Sequence, residues 1–282
     1  MWRRSLLALG ALGLISGGLG FAQDISPGEP FRDCAQCPEM VLLPPGWFTM
    51  GSPETEEYRG RDEGPKHNVV MKGNVALGRF EVTHDEFLAF VTDTNRTMEP
   101  CFFDPVFPRN GRHPAICLTW HDAQDYLSWL SKKAGHQYRL PSEAEWEFAA
   151  RARRVPGTYQ RLEFGEDAQD ICANANTSVK ECDDGFANTA PVGSFPPNAF
   201  GLHDTIGNVW EFIEECPTEN YEGAPADGSV WKEAGDCSKR VIRGAGWINY
   251  LNDHLRVSNR GWLGPKMSDV MTGFRVARTI TE

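Results

Sequence analysis

The second half of the chain constrains the fold most, because helical and strand periodicity fades there. From Val155 to the C-terminus the sequence consists largely of loops with many Gly, Asn and Asp residues. A domain with this much irregular chain needs disulfides or bound ions for stability, since such loops bury little apolar surface. The eight cysteines of the 282-residue chain are the first candidates for that role.

The N-terminus predicts export. Arg3 and Arg4 precede an apolar run, and Gly20-Phe21-Ala22 places small residues at both positions that signal peptidase reads. We predict a cleaved signal peptide over residues 1–22, a linker over residues 23–38, and one domain over residues 39–280. The general secretory and twin-arginine routes both stay open, and the alternative to cleavage is a membrane anchor. The predicted location is periplasmic or secreted.

Export places the cysteines in an oxidising compartment, where an even number indicates disulfides. Sequence proximity favours four short-range pairs, although other connectivities are compatible with the sequence: Cys34–Cys37, Cys101–Cys117, Cys172–Cys182 and Cys216–Cys237. The Cys34-x-x-Cys37 spacing also occurs in redox and zinc sites. No second such pair follows it, however, and no strand-to-helix context surrounds it. A structural disulfide is therefore expected here.

Charge and motifs exclude several functions. The net charge of −11, from 39 acidic and 28 basic residues, excludes nucleic acid as the expected partner, because basic residues supply affinity for phosphates. The sequence has no P-loop, no Rossmann glycine motif and no Gly-x-Ser-x-Gly elbow. Beyond the signal, no run of about 20 apolar residues predicts a membrane span.

Local patterns predict a few regular elements in the first half. Two short strands, Met40–Leu43 and Trp47–Met50, flank a Pro-Pro-Gly turn. Apolar residues recur with helical spacing in "HDEFLAFV" and in "TWHDAQDYLSWLSKKAGH", which Gly135 ends. A third helix follows Ser142, which forms a Ser-x-x-Glu capping box with Glu145. The charged stretch "SPETEEYRGRDEGPKH" predicts a surface loop.

Six blocks in a fixed order carry a resemblance to a known family: "MVLLPPGWFTMGS", "FEVTHDEFLAFV", "RLPSEAEWEFAARA", "APVGSFPPNAFGLHDTIGNVWEF", "RVIRGAGW" and "TGFRVAR". Over residues 39–279 the chain resembles the formylglycine-generating-enzyme, or sulfatase-modifying-factor, family. The resemblance implies a single α/β domain with little regular secondary structure, related to the C-type-lectin fold, with bound calcium.

The resemblance also implies two calcium sites, and the residue types suit an ion that prefers oxygen ligands on irregular loops. The implied ligands of the first site are Asp204, Gly207, Val209 and Glu211. Those of the second site are Asn174, Ala175, Asp184 and Phe186. The glycine and the apolar residues would contribute backbone carbonyls. The alternative for the first site is that Asp204 and Glu211 cap a turn, and the alignment across "NANT" stays open by two residues.

The family's copper centre is absent from the sequence. In formylglycine-generating enzymes a cysteine pair near the C-terminus binds copper(I), because thiolates are soft ligands that select this ion. Here no cysteine follows Cys237, and Gly246 stands where the family has a serine. The usual two-cysteine mechanism is therefore not expected, and copper or iron has no thiol pair to bind it.

The segment from Trp247 to Trp262 is nevertheless the predicted working surface. The candidate catalytic residues, which offer acid, base or metal-ligand groups, are Asn249, Tyr250, Asp253 and His254. The candidate ligand-contact residues are Trp210, Trp247, Asn252 and Trp262. For each polar residue the alternative is an ordinary surface side chain. We expect a segment too polar for a core, held between paired strands at its two flanks.

Three functions stay open from the sequence. One is oxidative maturation of a peptide-like substrate, as in the family branch that acts in periplasmic maturation of the siderophore pyoverdine. The second is a C-type-lectin-like module that binds a peptide or glycan. The third is a calcium-stapled structural protein of the cell envelope. We expect a monomer in each case.

Overall fold

The computed structural model describes residues 25–98, 101, 110–152, 159–165, 167–179, 183–232, 235–248 and 254–281. The predicted signal peptide over residues 1–22 lies outside this part of the chain, so its prediction stands as made. So do four predicted site residues and one predicted disulfide partner, namely Asn249, Tyr250, Asn252, Asp253 and Cys182.

The described residues form short strands and four α-helices. In chain order the elements are β1 (Pro30–Phe31), β2 (Met40–Leu42), β3 (Gly46–Met50), a 3-10 turn (Arg61–Glu63), β4 (His67–Met71), β5 (Val75–Gly78), α1 (His84–Asp93), α2 (Trp120–Ala134), β6 (Tyr138–Arg139), α3 (Glu143–Arg151), α4 (Ala168–Asn174), β7 (Trp210–Phe212), β8 (Arg240–Arg243), β9 (Gly261–Leu263), β10 (Thr272–Gly273) and β11 (Ala277–Thr279). No helix among them is long and apolar enough to cross a membrane.

Three sheets organise these elements. The first has the order β1-β2-β5-β11-β6 and is antiparallel throughout. The second has the order β10-β7-β8-β9 and is mixed, because β10 runs parallel to β7. The third is the antiparallel pair β3-β4. This mixed α/β architecture of short elements confirms the predicted fold class.

The helices begin where the sequence predicts. Each of α1, α2 and α3 starts with a capping box, in which two side chains bond each other's backbone N–H groups. The predicted box of Ser142 and Glu145 is confirmed. Gly135 ends α2 with φ 71°, in the left-handed region that glycine tolerates. Helix α4 was not predicted, because its seven residues are too few to show a period.

Aromatic packing joins α1 and α2 to Phe274, which lies between β10 and β11. The ring of Tyr126 in α2 lies 5.8 Å from the rings of Phe87 and Phe90 in α1, and 5.4 Å from that of Phe274. All four side chains are buried, so each contributes apolar burial on the order of 2 kcal/mol. By contrast, α3 is buried along all nine residues, although it carries four charged side chains.

Disulfides staple the irregular regions as expected. The pairs Cys34–Cys37, Cys101–Cys117 and Cys216–Cys237 are formed, which confirms three of the predicted pairs. Cys172 is also disulfide-bonded, but its predicted partner lies outside the described residues. No described cysteine is a free thiol.

Three local predictions differ from the structure. The predicted linker contributes β1, which pairs with β2 and buries Phe31. The loop predicted to lie on the surface buries Ser52 and Glu63, each 1% exposed. The flanking strands β8 and β10 do not pair with each other, because β7 lies between them. In each case a pairing partner outside the segment overrides the local pattern.

Replacing Ser142 tests how far α3 depends on its cap. The Ser142 hydroxyl accepts a bond from the Glu145 N–H at 3.0 Å and donates to the Gly228 carbonyl at 2.7 Å. We expect Ser142→Ala to lower the free energy of unfolding by about 1–2 kcal/mol, measured by urea denaturation. The control is Ser194→Ala, whose hydroxyl bond is exposed. Equal losses in both variants would contradict a special role for this cap.

Candidate functional site

Arg243 at the end of β8 fixes the start of the predicted working segment. Its guanidinium donates to Glu143 at 2.6 Å and to Glu147 at 2.7 Å, both on α3. It also donates to the Val257 carbonyl at 2.7 Å. The arginine side chain is fully buried, so buried hydrogen bonds attach the start of the segment to α3.

Arg256 fixes the end of the same segment to the loop of residues 52–63. Its guanidinium donates to both carboxylate oxygens of Glu63, at 2.5 and 2.7 Å. It donates further to Glu56 at 3.0 Å and to the Tyr58 carbonyl at 2.9 Å. The Arg256 side chain is 1% exposed. A bidentate pair of this kind sets orientation as well as distance.

Arg260 makes the third bond between the segment and the domain. Its guanidinium forms a bidentate pair with Glu143, with hydrogen bonds of 2.7 and 2.9 Å. The guanidinium carbon lies 4.5 Å from the centroid of the Tyr221 ring. Its side chain is 3% exposed. We call Arg243, Arg256 and Arg260, with their carboxylate partners, the arginine frame.

The carboxylates on α3 are kept ionised by this frame. Burial alone would raise the pKa of Glu143, but Arg260 and Arg243 outweigh it and lower that pKa. Arg151 and Arg243 likewise lower the pKa of Glu147 against the effect of burial. Both groups therefore stabilise the native state above the pKa of unfolded glutamate, and this stabilisation is lost as pH falls through their lowered native values.

The structure exposes part of the predicted surface. Trp262 on β9 is 57% exposed, and the ammonium of Lys239 lies 3.6 Å from its ring centroid. His254 is exposed, and its ring lies 6.2 Å from that of Trp210. Trp247 is half-buried, with its indole N–H donating to the Val270 carbonyl at 3.0 Å.

Two expectations about this segment are wrong in part. Trp210 was predicted to contact ligand, but it is 7% exposed and belongs to the core. The segment was expected to be too polar for a core, yet residues 255–258 are all buried. Arg256 and Ser258 can lie inside because their polar groups have buried partners, which the local sequence does not show.

The first predicted calcium site lies in a buried acidic cluster. Asp204 is 6% exposed and accepts a bond from the Gly193 N–H at 2.7 Å. Burial raises its pKa to about 6, an effect to which nearby Glu211 adds and which Arg275 opposes. Asp204 also interacts electrostatically with Glu81. Three carboxylates face Arg275 and, more weakly, Arg112 in this cluster, so an added cation would stabilise their ionised forms.

Glu211 does not present a free carboxylate in this cluster. Arg275 donates to its two oxygens at 2.6 and 2.5 Å, and the Trp146 indole donates at 2.8 Å. The described residues contain no set of three His, Cys, Asp or Glu side chains arranged to hold a metal. Backbone carbonyls, including those predicted at Gly207 and Val209, would therefore have to supply much of the coordination.

The second predicted calcium site brings together two separate blocks. The Asp184 carboxylate accepts bonds from the Thr177 N–H at 2.7 Å and the Phe186 N–H at 2.9 Å. Ala175, which stands two positions before Thr177, is also buried. Asn174 and Asp204 both line a cavity of about 140 Å³, so one residue from each predicted site borders the same cavity. Calcium at either site stays a prediction.

Local sequence patterns contain little sign of the arginine frame. Glu63 lies in a run of charged residues that is typical of a solvated loop. Its partner is 193 positions away, beyond the reach of any local pattern. The only local sign is that Arg256 stands between apolar Leu255 and Val257, as expected for a residue in the interior.

The chain is similar to known proteins over most of its length. The Sulfatase-modifying factor enzyme 1-like domain matches residues 26–280. The solved structure of PvdO from Pseudomonas aeruginosa is similar with a TM-score of 0.83 and 40% identity, covering 90% of this chain and 99% of that one. The inactive C-alpha-formylglycine-generating enzyme 2 of Bos taurus is 30% identical over 291 residues, covering 86% of this chain and 88% of that protein.

One similarity covers only part of a larger relative. The serine/threonine-protein kinase pkn1 of Chlamydia pneumoniae is 30% identical over 261 residues. That match covers 86% of this chain but 38% of the kinase. The shared unit is thus a domain that also occurs within a longer protein.

Removing Arg243 tests the frame directly. We expect Arg243→Ala to cost about 3–5 kcal/mol of unfolding free energy at pH 7, because two buried carboxylates each lose one of their two arginine partners. The matched control is Arg96→Ala, which breaks the more exposed pairs with Asp122 and Asp125 and should cost at most about 1 kcal/mol. Guanidinium denaturation measures both. Similar losses in the two variants would contradict the frame's central role.

Proposed function

The chain belongs to the sulfatase-modifying-factor, or formylglycine-generating-enzyme, family, and from this premise we propose that it binds a peptide or peptide-like ligand at the surface that carries His254 and Trp262. The arginine frame is the observation that carries the proposal. The frame fixes the segment to the domain, although the segment holds no cysteine. The frame thereby holds both ends of the segment in one position relative to α3 and the loop of residues 52–63.

The exposed groups support a ligand of this class. Trp262 offers an open aromatic face beside the charge of Lys239, and tryptophan is enriched among the residues that dominate binding energies. Relatives of the chain are named formylglycine-generating enzymes. One is named as inactive, so membership of the family does not by itself imply that chemistry.

Oxidative maturation of the bound ligand is the second candidate. It is favoured by the 40% identity to PvdO over 90% of this chain and by the family branch that acts in pyoverdine maturation. Copper or iron would then need ligands other than a thiol pair, since no cysteine follows Cys237. Metal analysis of the purified protein separates the two candidates: calcium alone supports binding, whereas stoichiometric copper or iron supports oxidation.

We propose that the protein works after export, in the periplasm or outside the cell. Three disulfides support this location, because such bonds persist in oxidising compartments. The sequence of residues 1–22 supports cleavage of a signal peptide.

Calcium is proposed as a structural ion, and its removal should destabilise the protein. A cation that binds only the native state stabilises it by mass action, so complete chelation should lower the melting temperature measured by calorimetry. Asp204→Ala should lower it in the same way and should reduce the further effect of chelation, which then acts only on the second predicted site. The control is Asp227→Ala at an exposed turn. Identical melting curves with and without calcium would refute the proposal.

The proposed surface can be tested without knowing the ligand. In a strain lacking the gene, we expect Tyr250→Ala/His254→Ala and Trp262→Ala variants to fail to restore the lost phenotype. Their unfolding free energies should change by no more than roughly 0.5 kcal/mol, as at ordinary surface positions.

The matched control is Trp47→Ala. This tryptophan is 42% exposed but lies on β3, in a different sheet, so its variant should restore the phenotype. Full rescue by both surface variants would place the functional site elsewhere and favour the structural-protein alternative.

A further inference from the structure

Strand β9 forms an open edge of the second sheet at the proposed binding surface. It stands last in the order β10-β7-β8-β9, so among the described strands only β8 pairs with it. Proteins usually protect such edges with short strands or charged side chains, because unpaired backbone groups attract other strands. β9 is short, but its middle residue is Trp262, whose side chain is 57% exposed. An open edge that carries a large exposed aromatic side chain is suited to binding a further strand.

The register of β8 and β9 shows which way the Trp262 backbone points. Val241 in β8 donates its N–H to the Glu215 carbonyl at 3.1 Å and accepts from the Ile213 N–H at 3.0 Å. Both of its backbone groups therefore face the chain that follows β7, away from β9. Trp262 is the direct partner of Val241, so the flanking residues make the ladder bonds between these strands. The N–H and C=O of Trp262 consequently point away from β8.

The two outward-pointing backbone groups of Trp262 have no hydrogen-bond partner within the described part of the chain. Together they offer one donor and one acceptor on the same residue, which is the arrangement that an added antiparallel strand pairs with. Peptides that add to a sheet edge gain affinity from main-chain hydrogen bonds and specificity from side-chain contacts. An extended peptide segment would obtain both kinds of contact at this one residue.

The charge beside the edge favours a particular kind of segment. The ammonium of Lys239 lies 3.6 Å from the centroid of the Trp262 ring and forms no salt bridge with a described carboxylate. The pKa of exposed Asp236 is lowered chiefly by its hydrogen bonds from Ser238, and less by Lys239. An ammonium has three N–H donors, so Lys239 can contact the ring and still donate to a carboxylate of a ligand.

We propose that an extended, acidic segment of the peptide-like ligand adds to the second sheet as a strand beside β9, bonding the backbone N–H and C=O of Trp262 and placing a carboxylate near Lys239. This inference rests on the proposed function and names the mode of binding at the same surface. A second copy of this chain fits the edge less well, because it would bring two Lys239 ammonium groups and two net charges of −11 together.

Replacing the backbone amide of Trp262 by an ester tests the pairing. The α-hydroxy acid analogue of tryptophan, incorporated at a stop codon, removes the N–H and keeps the indole. We expect this ester protein to fail to restore the phenotype in the strain lacking the gene. The matched control is the same ester at Trp47, which is 42% exposed. Its N–H also points away from its partner strand, because its partner Val70 donates to the Ala226 carbonyl. The control should restore the phenotype.

Both ester proteins should remain folded. An ester also weakens the preceding carbonyl as an acceptor, and in each strand that carbonyl belongs to a glycine of the ladder, Gly261 in β9 and Gly46 in β3. We therefore expect both melting temperatures to fall by the same small amount, about 2–4 °C. Full rescue by a folded Trp262 ester protein would overturn the proposal.

Reversal of the charge at Lys239 decides the matter if the Trp262 ester protein does not fold. We expect Lys239→Glu to fail in the rescue with an unchanged melting temperature, whereas Lys239→Arg, which keeps the charge, should rescue. The control is Lys72→Glu, at an exposed position between β4 and β5, which should also rescue. Rescue by Lys239→Glu would overturn the proposal.

The Trp262→Ala variant distinguishes failure of this inference from failure of the proposed function. Rescue by the Trp262 ester protein but not by Trp262→Ala would reject strand pairing alone. Rescue by both, and by the Tyr250→Ala/His254→Ala variant, would reject the binding surface itself. Light scattering of the unmodified protein tests the other occupant: a dimer that the Trp262 ester abolishes would place a second copy on the edge and overturn the proposal.

Discussion

Three arginines with almost no contact with solvent hold the two halves of the domain together. Arg243, Arg256 and Arg260 come from the C-terminal half, and their carboxylate partners come from α3 and the loop before β4. Removing such ions from water costs several kcal/mol each, and only short, well-oriented pairs offset that cost. Removing one partner of such a pair is strongly destabilising, because it leaves a buried charge without compensation. This matters because short strands and irregular loops provide few ladder hydrogen bonds to fix their own geometry.

What the sequence predicts well is what is local. The capping box of Ser142 and Glu145, the stop at Gly135, and three disulfides between neighbouring cysteines are all encoded within about 20 residues. The ion pairs of the arginine frame join positions up to 200 apart. A charged run with several glutamates is typical of a solvated loop. The sequence alone therefore could not show that Glu63 is buried against Arg256. The same limit explains why β8 and β10 were expected to pair directly.

For the candidate site, too, residue identities could be taken from the sequence, whereas the burial of side chains could not. The sequence located the segment and showed that its cysteines are missing, because residue identity needs no structure. It did not show which side chains face inward. A Cβ atom added at Gly246 would lie 3.2 Å from the Trp210 ring, and one added at Gly261 would lie 3.1 Å from it. These glycines therefore leave space for a tryptophan that was predicted to contact ligand. Trp262, one position after Gly261, faces outward instead, as alternation along a strand requires.

The order of the second sheet has a consequence for the segment between β8 and β9. These two strands are neighbours, and Ile242 pairs with Gly261, so residues 244–260 leave the sheet and return to it at adjacent strands. The ladder hydrogen bonds between β8 and β9 are made by backbone groups, so they hold the two ends of this segment together whatever side chains lie between them. Side chains of the segment that make no buried contact can therefore change without altering the path of the flanking strands.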